Sequence, residues 1–173
     1  GTDYNINYTA QIKMNMTDAP GVHVVGNMFT FERVIVHDNG QDAFQTCYIG
    51  EFNDITITNS WLYNRRPHPW NDREIWNYCM HTDDLQMCSN NDSKRFVIKN
   101  SIVGPGFMQS LYAGAGGYRN STARDYIFNN TLIVHHHGLS ANAGILINNG
   151  FNNSPSTGIV VDKVTIIRDP YEK

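Results

Sequence analysis

The sequence predicts an all-β solenoid, a chain of about five stacked repeats with three short strands in each. Three observations carry this. Strand-like segments of matching character recur along the chain, every interval between them holds the same β-rich stretches, and no helical periodicity of useful length occurs.

The recurring segments are FTFERVIV (Phe29 to Val36), ITITNSWL (Ile55 to Leu62), FVIKNSIV (Phe96 to Val103), YIFNNTLI (Tyr126 to Ile133) and GIVVDKVT (Gly158 to Thr165). Superposed on a central polar residue, they place Glu32, Asn59, Asn100, Asn130 and Asp162 in one column, at intervals of 27, 41, 30 and 32. A second alignment, DAFQTC with DDLQMC and GFMQSL, places Gln45, Gln86 and Gln109 together. Before the central residue, alternation turns Ile55, Phe96 and Tyr126, then Ile57, Ile98, Phe128 and Val160, toward a core. Thr56, Thr58, Lys99 and Asn129 face out. After it both rows are apolar: Val34, Trp61, Ile102 and Leu132 on one side, Ile35, Leu62, Val103 and Ile133 on the other. A strand apolar on both faces is buried on both, so a terminal segment or another subunit is expected over the outer one. In a parallel stack equivalent residues lie about 4.8 Å apart, and amides at a tight bend are satisfied by their copies above and below. Asn59, Asn100 and Asn130 are therefore expected to form an asparagine ladder.

Composition narrows the function. A net charge of -3, a pI near 6.1 and scattered Lys and Arg leave no footprint for nucleic acid. A chain that is 40% hydrophobic and 12% aromatic is too apolar for disorder. No apolar run approaches the roughly 20 residues of a membrane span. The chain holds 21 Asn, and its N-x-S/T sequons at Asn7, Asn15, Asn91, Asn120, Asn129 and Asn152 exceed the roughly 2.5 expected by chance. A secreted or cell-surface glycoprotein is expected; Asn-rich turns are the alternative source of the excess. Of the three cysteines, Cys47 and Cys88 follow aligned glutamines and could pair across successive repeats, or Cys79 and Cys88 could staple a loop. One thiol is left over either way.

With these features the chain resembles the right-handed single-stranded parallel β-helix proteins of the pectin-lyase-like superfamily, over roughly residues 22 to 167. The resemblance implies three strands per coil (PB1, PB2 and PB3), with the Gln segments as PB1 and the bend between PB2 and PB3. Residues 1–21, with the alternation Ile12, Met14 and Met16, read as an N-terminal segment or partial first coil. Residues 22–169 read as the β-helix with a long loop insertion at 64–83, and 170–173 as a tail. Neither end shows a capping helix, so the five coils read as a section of a longer stack whose open ends invite association.

In that family the substrate groove runs along the outside of PB1. Phe44, Leu85, Met87 and Met108 point inward on this reading, which leaves His23, Gln45, Gln86 and Gln109 outside, with Asp84 near them. Amides with donors and acceptors suit sugar hydroxyls, and a Gln ladder that stabilises the stack is the alternative. VHDNGQDAF (Val36 to Phe44) is similar to a turn of alginate epimerase and lyase modules, and HTDDLQ (His81 to Gln86) to a turn of many β-helix carbohydrate enzymes. Both put an acid, Asp42 or Asp83, just ahead of PB1. The epimerases' Tyr/His/Asp catalytic cluster finds no convincing match.

A uronate lyase or epimerase needs a cation for the substrate carboxylate and a base working near neutral pH. Arg65, Arg66 or Arg73 could supply the first, and His81, His37 or His135 the second. A glycoside hydrolase needs two carboxylates, and Asp42 with Asp83 on successive coils offers them. The same pair could hold Ca²⁺, although no cofactor is required, or be a repeated turn residue. Trp70, Trp76 and Tyr78 offer faces for sugar rings or a local core. Within HHHG, from His135, at most two imidazoles of an extended run share a side, so no metal site is assigned. The sequence thus supports an extracellular β-helix that binds a polysaccharide along the PB1 groove through Gln45, Gln86, Gln109, Asp84, Trp70, Trp76 and Arg66, and whose Asp83, His81, Asp42 and Arg65 could process it as a uronan lyase or epimerase or a glycoside hydrolase would. The rival is a non-catalytic structural or assembly module of a filament, adhesin or fibre, self-associating through PB3 or the coil ends.

Overall fold

The computed structural model describes residues 22–24, 26–37, 42–46, 52–63, 83–89, 93–106, 110–115, 123–135, 144–148 and 156–168. Among them every regular element is a β-strand. The first repeat contributes β1 (Val22–His23), β2 (Gly26–Glu32) and β3 (Ile35–His37), and the second β4 (Phe44–Gln45), β5 (Phe52–Thr58) and β6 (Trp61–Tyr63). The third holds β7 (Leu85–Ser89), β8 (Ser93–Lys99) and β9 (Ile102–Val103). In the fourth, β10 (Leu111–Ala115) precedes β11 (Ala123–Arg124), β12 (Ile127–Asn129) and β13 (Leu132–His135). The fifth comprises β14 (Ile145–Asn148), β15 (Val160–Asp162) and β16 (Thr165–Arg168).

Three parallel sheets result, ordered β1-β4-β7-β10-β14, β2-β5-β8-β12-β15 with β11 also on β8, and β3-β6-β9-β13-β16. Neighbours in any sheet come from successive repeats, so the chain visits the other two sheets before returning. This arrangement is compatible with a solenoid. Its core is built from inward columns: Phe44, Leu85, Leu111 and Ile145 in the first sheet, Ile57, Ile98, Phe128 and Val161 in the second, and Val36, Leu62, Val103, Ile133 and Ile166 in the third. Their middle members are fully buried, because each has a neighbour both above and below.

Corners are made by left-handed residues. Asn59, Asn100 and Asn130 have φ of 53°, 50° and 45°, and Arg33 and Lys163 take the same conformation at 56° and 52°. A second such column lies five residues earlier in every repeat: Met28, Asp54, Arg95, Asp125 and Gly158, with φ of 63°, 58°, 57°, 59° and 67°. This conformation costs an ordinary L-residue about 1–2 kcal/mol and Asn or Asp less; stacking on both sides holds it in place.

The register corrects five sequence assignments. Glu32 pairs with Thr58 and Asp162 with Asn129, so Arg33 and Lys163, not Glu32 and Asp162, continue the asparagine column. In those two repeats a charged residue precedes another charged residue, and polarity alone does not separate them. Val161, not Val160, joins Phe128, and Ile35, not Val34, joins Trp61. In the first sheet Leu111 pairs with Leu85 and Tyr112 with Gln86. The column that begins at Gln45 therefore continues through Tyr112, because Leu111 and Ala113 are the residues that bury; Met108 and Gln109 lie outside the described residues.

Candidate functional site

Residues just ahead of the first sheet carry the acids. Asp42 and Asp83 occupy equivalent places in successive repeats, and Asp42 Oδ1 accepts the Asp83 backbone N–H at 2.7 Å. That bond joins one repeat to the next and uses one of the carboxylate oxygens expected to face substrate. Asp42, Asp83 and Asp84 are all fully buried. Asp84 packs beneath a tight backbone passage, where a Cβ on Gly106 would stand 2.3 Å from Asp84 Oδ2 and one on Gly104 would stand 2.0 Å from the Val134 carbonyl oxygen.

On the next residues of the strands, Gln45 Nε2 donates to Gln86 Oε1 at 2.8 Å. Both side chains are buried, at 2% and 4% exposure. Within the low-dielectric interior such an amide pair stabilises by about 0.5–1.5 kcal/mol, and loss of one partner costs about 1–3 kcal/mol. Gln45, Gln86, Asp42, Asp83 and Asp84 thus occupy neighbouring positions of successive repeats and are all buried, and the Gln45–Gln86 and Asp42–Asp83 bonds cross from one repeat to the next.

Few of the other expected site residues fall among the described ones. His81, Arg65, Arg66, Arg73, Gln109, Trp70, Trp76 and Tyr78 lie outside the described residues, as do Cys47, Cys79 and the sequons at Asn7, Asn15, Asn91, Asn120 and Asn152. Cys88 lies in β7, and His23 in β1, in register with Gln45. Asn129 faces outward on β12, and its Nδ2 donates to Asp162 Oδ2 at 2.6 Å. The third residue of that sequon, Thr131, is buried, and its Oγ1 donates to the Asn129 carbonyl at 3.0 Å. Among the described residues no group of three or more His, Cys, Asp or Glu side chains is placed to share a metal ion, and no helix is long and apolar enough to cross a membrane.

Two features escaped the sequence reading. Behind each bend asparagine stands a hydroxyl: Ser60 Oγ donates to the Thr58 carbonyl at 2.7 Å and Ser101 Oγ to the Lys99 carbonyl at 2.8 Å, as Thr131 does to Asn129. Ser60 Oγ also receives the Val34 N–H, and Ser101 Oγ the Ser60 N–H, each at 3.2 Å. The repeated dipeptides Asn59-Ser60, Asn100-Ser101 and Asn130-Thr131 were the available signal. The second is a row of rings on the outer face of the third sheet. Tyr63 stacks on His37 with centroids 5.1 Å apart, and Trp61 lies 4.6 Å from Tyr63. Trp61 Nε1 donates to the Gly104 carbonyl at 2.9 Å, which fixes the indole.

No family model, curated protein or solved structure matches this chain.

Proposed function

We propose that the chain is a right-handed parallel β-helix of about five coils with an asparagine ladder, acting as a non-catalytic structural or assembly module of an extracellular filament, adhesin or fibre. One observation carries this reading. The acids and amides expected to do chemistry on the first sheet are buried, one Asp42 oxygen is taken up by the Asp83 backbone N–H of the next repeat, and Gln45 is bonded to Gln86. A general acid or base must reach the proton it transfers, and a carboxylate sealed in the stack does not reach a polymer. The test is incubation with a broad panel of uronans and neutral glycans, read by ultraviolet absorbance of unsaturated products and by new reducing ends. No turnover is expected. Turnover that disappears in a folded Asp83→Asn variant would overturn the reading.

A second reading is polysaccharide binding, and the ring row formed by His37, Tyr63 and Trp61 favours it. Aromatic faces stack on sugar rings, and an indole fixed through its N–H keeps one orientation. Quenching of Trp fluorescence by an oligosaccharide, lost in Trp61→Ala, is the result this reading expects.

A further inference from the structure

We propose that a second copy of this chain docks head to tail, its first repeat on the fifth repeat of the copy before it, so that all three sheets continue across the junction. The proposal rests on the assembly reading above and names the partner.

The two terminal repeats carry the same inward columns as the middle ones, with less of their burial. Val161 is 49% exposed although Ile98 and Phe128 in its column are fully buried. Ile166 is 52% exposed above a fully buried Ile133. At the other end Phe29 is 41% exposed beside a fully buried Ile55. Both ends thus show apolar surface shaped as half of an interior junction.

Their footprints match. Met28 and Arg33 in the first repeat, and Gly158 and Lys163 in the fifth, mark the same two left-handed corners with the same five-residue separation. In continued register Phe29 of the second copy falls on Ile159, Phe31 on Val161 and Val36 on Ile166. Met28, 81% exposed, falls on Gly158, the one member of its column with no side chain. The charges also have partners: Glu32 and Arg33, paired at 2.8 Å, meet Asp162 and Lys163, which offers each an opposite charge on the diagonal. Like charges in the same columns offset part of this, and exposed pairs contribute only about 0–1 kcal/mol. Burial of the apolar columns decides the balance.

A two-fold contact between fifth repeats would reverse strand direction and let at most one sheet meet its own equivalent. Head-to-tail contact pairs all three. Because such a contact uses two different surfaces, it does not close after two copies.

Sedimentation velocity over about a hundredfold dilution series tests this by mass action. The wild-type chain is expected to form a growing series of oligomers. Phe29→Lys and Val161→Lys, each at an exposed member of an inward column, block opposite ends. Each alone is expected to weaken association about tenfold or more, whereas an equimolar mixture of the two forms a single heterodimer through the unblocked ends. A Phe29→Lys protein that still forms a wild-type-strength dimer, or a wild-type chain that stays monomeric throughout, would overturn the proposal. Monomers without glycan turnover reject stacking alone; turnover on the glycan panel rejects the module reading at any oligomeric state.

Discussion

Asn130 Nδ2 donates to Asn100 Oδ1 at 2.9 Å, and the two residues share one left-handed corner conformation in successive repeats. Side-chain identity and backbone geometry support each other here. Asn100→Ala removes the acceptor and puts a less tolerant residue at positive φ, so chemical denaturation is expected to show a loss of about 1–2 kcal/mol. Asn100→Gly keeps the corner and is expected to cost less. Equal losses for the two variants would mean that the backbone contributes nothing to the effect.

Gly106→Ala is expected to be among the most damaging small substitutions. The added methyl would lie 2.3 Å from Asp84 Oδ2 and 2.5 Å from its Cγ, and a buried carboxylate has little room to retreat. A loss of about 1–3 kcal/mol is expected from the overpacking. Asp84→Ala in the same chain should recover part of it, a coupling that a thermodynamic cycle reads directly.

Alkaline stability should report Tyr126. Its hydroxyl lies 2.6 Å from Ser93 Oγ in the core, and burial, opposed by that hydrogen bond, holds its ionisation well above the ordinary tyrosine value of 10.0. The unfolded chain ionises this group near pH 10 while the native state keeps it neutral. The contribution is therefore complete below about pH 10 and falls by about 1.4 kcal/mol per pH unit above it, until the native group ionises. Tyr126→Phe should flatten that slope. An unchanged slope would place the titration elsewhere.

Position along one column should set the cost of truncation. Phe128→Ala, in the fully buried middle, is expected to cost about 3–5 kcal/mol. Val161→Ala, at the exposed end of the same column, is expected to cost under about 1 kcal/mol in dilute, unassociated protein. Urea titration of both variants checks the ratio.

The all-β repeat was legible because inward positions of parallel strands must be apolar in every repeat. Ile55, Ile57, Phe96, Ile98, Tyr126 and Phe128 were all placed inward, and all are fully buried. Register failed where that constraint weakens. Arg33 and Lys163 hold corners that asparagine holds elsewhere, since at the terminal repeats a long charged side chain can extend into water. The first-sheet column was misread beyond Gln86 because Tyr112 continues it without an amide. At the site, the sequence did place Asp42 with Asp83 and Gln45 with Gln86. Alternation showed which side of the strand those residues occupy, but not whether that side is open to solvent. The left-handed column through Asp54, Arg95 and Asp125 was missed because its members share a conformation and not a residue type. Arg95 Nη2 donates to Asp54 Oδ2 at 2.7 Å there, and this bond holds the Asp54 carboxyl below its usual range.

The central claim is that polar residues on the first sheet bind repeat to repeat, and the Gln45–Gln86 amide pair tests it most directly. Gln45→Leu and Gln86→Leu should each lose about 1–3 kcal/mol by leaving a buried amide without its partner, while the double variant should lose less than the sum, with a coupling of about 0.5–1.5 kcal/mol. Two single variants of wild-type stability with no coupling would contradict the account and return both glutamines to an open, ligand-facing groove.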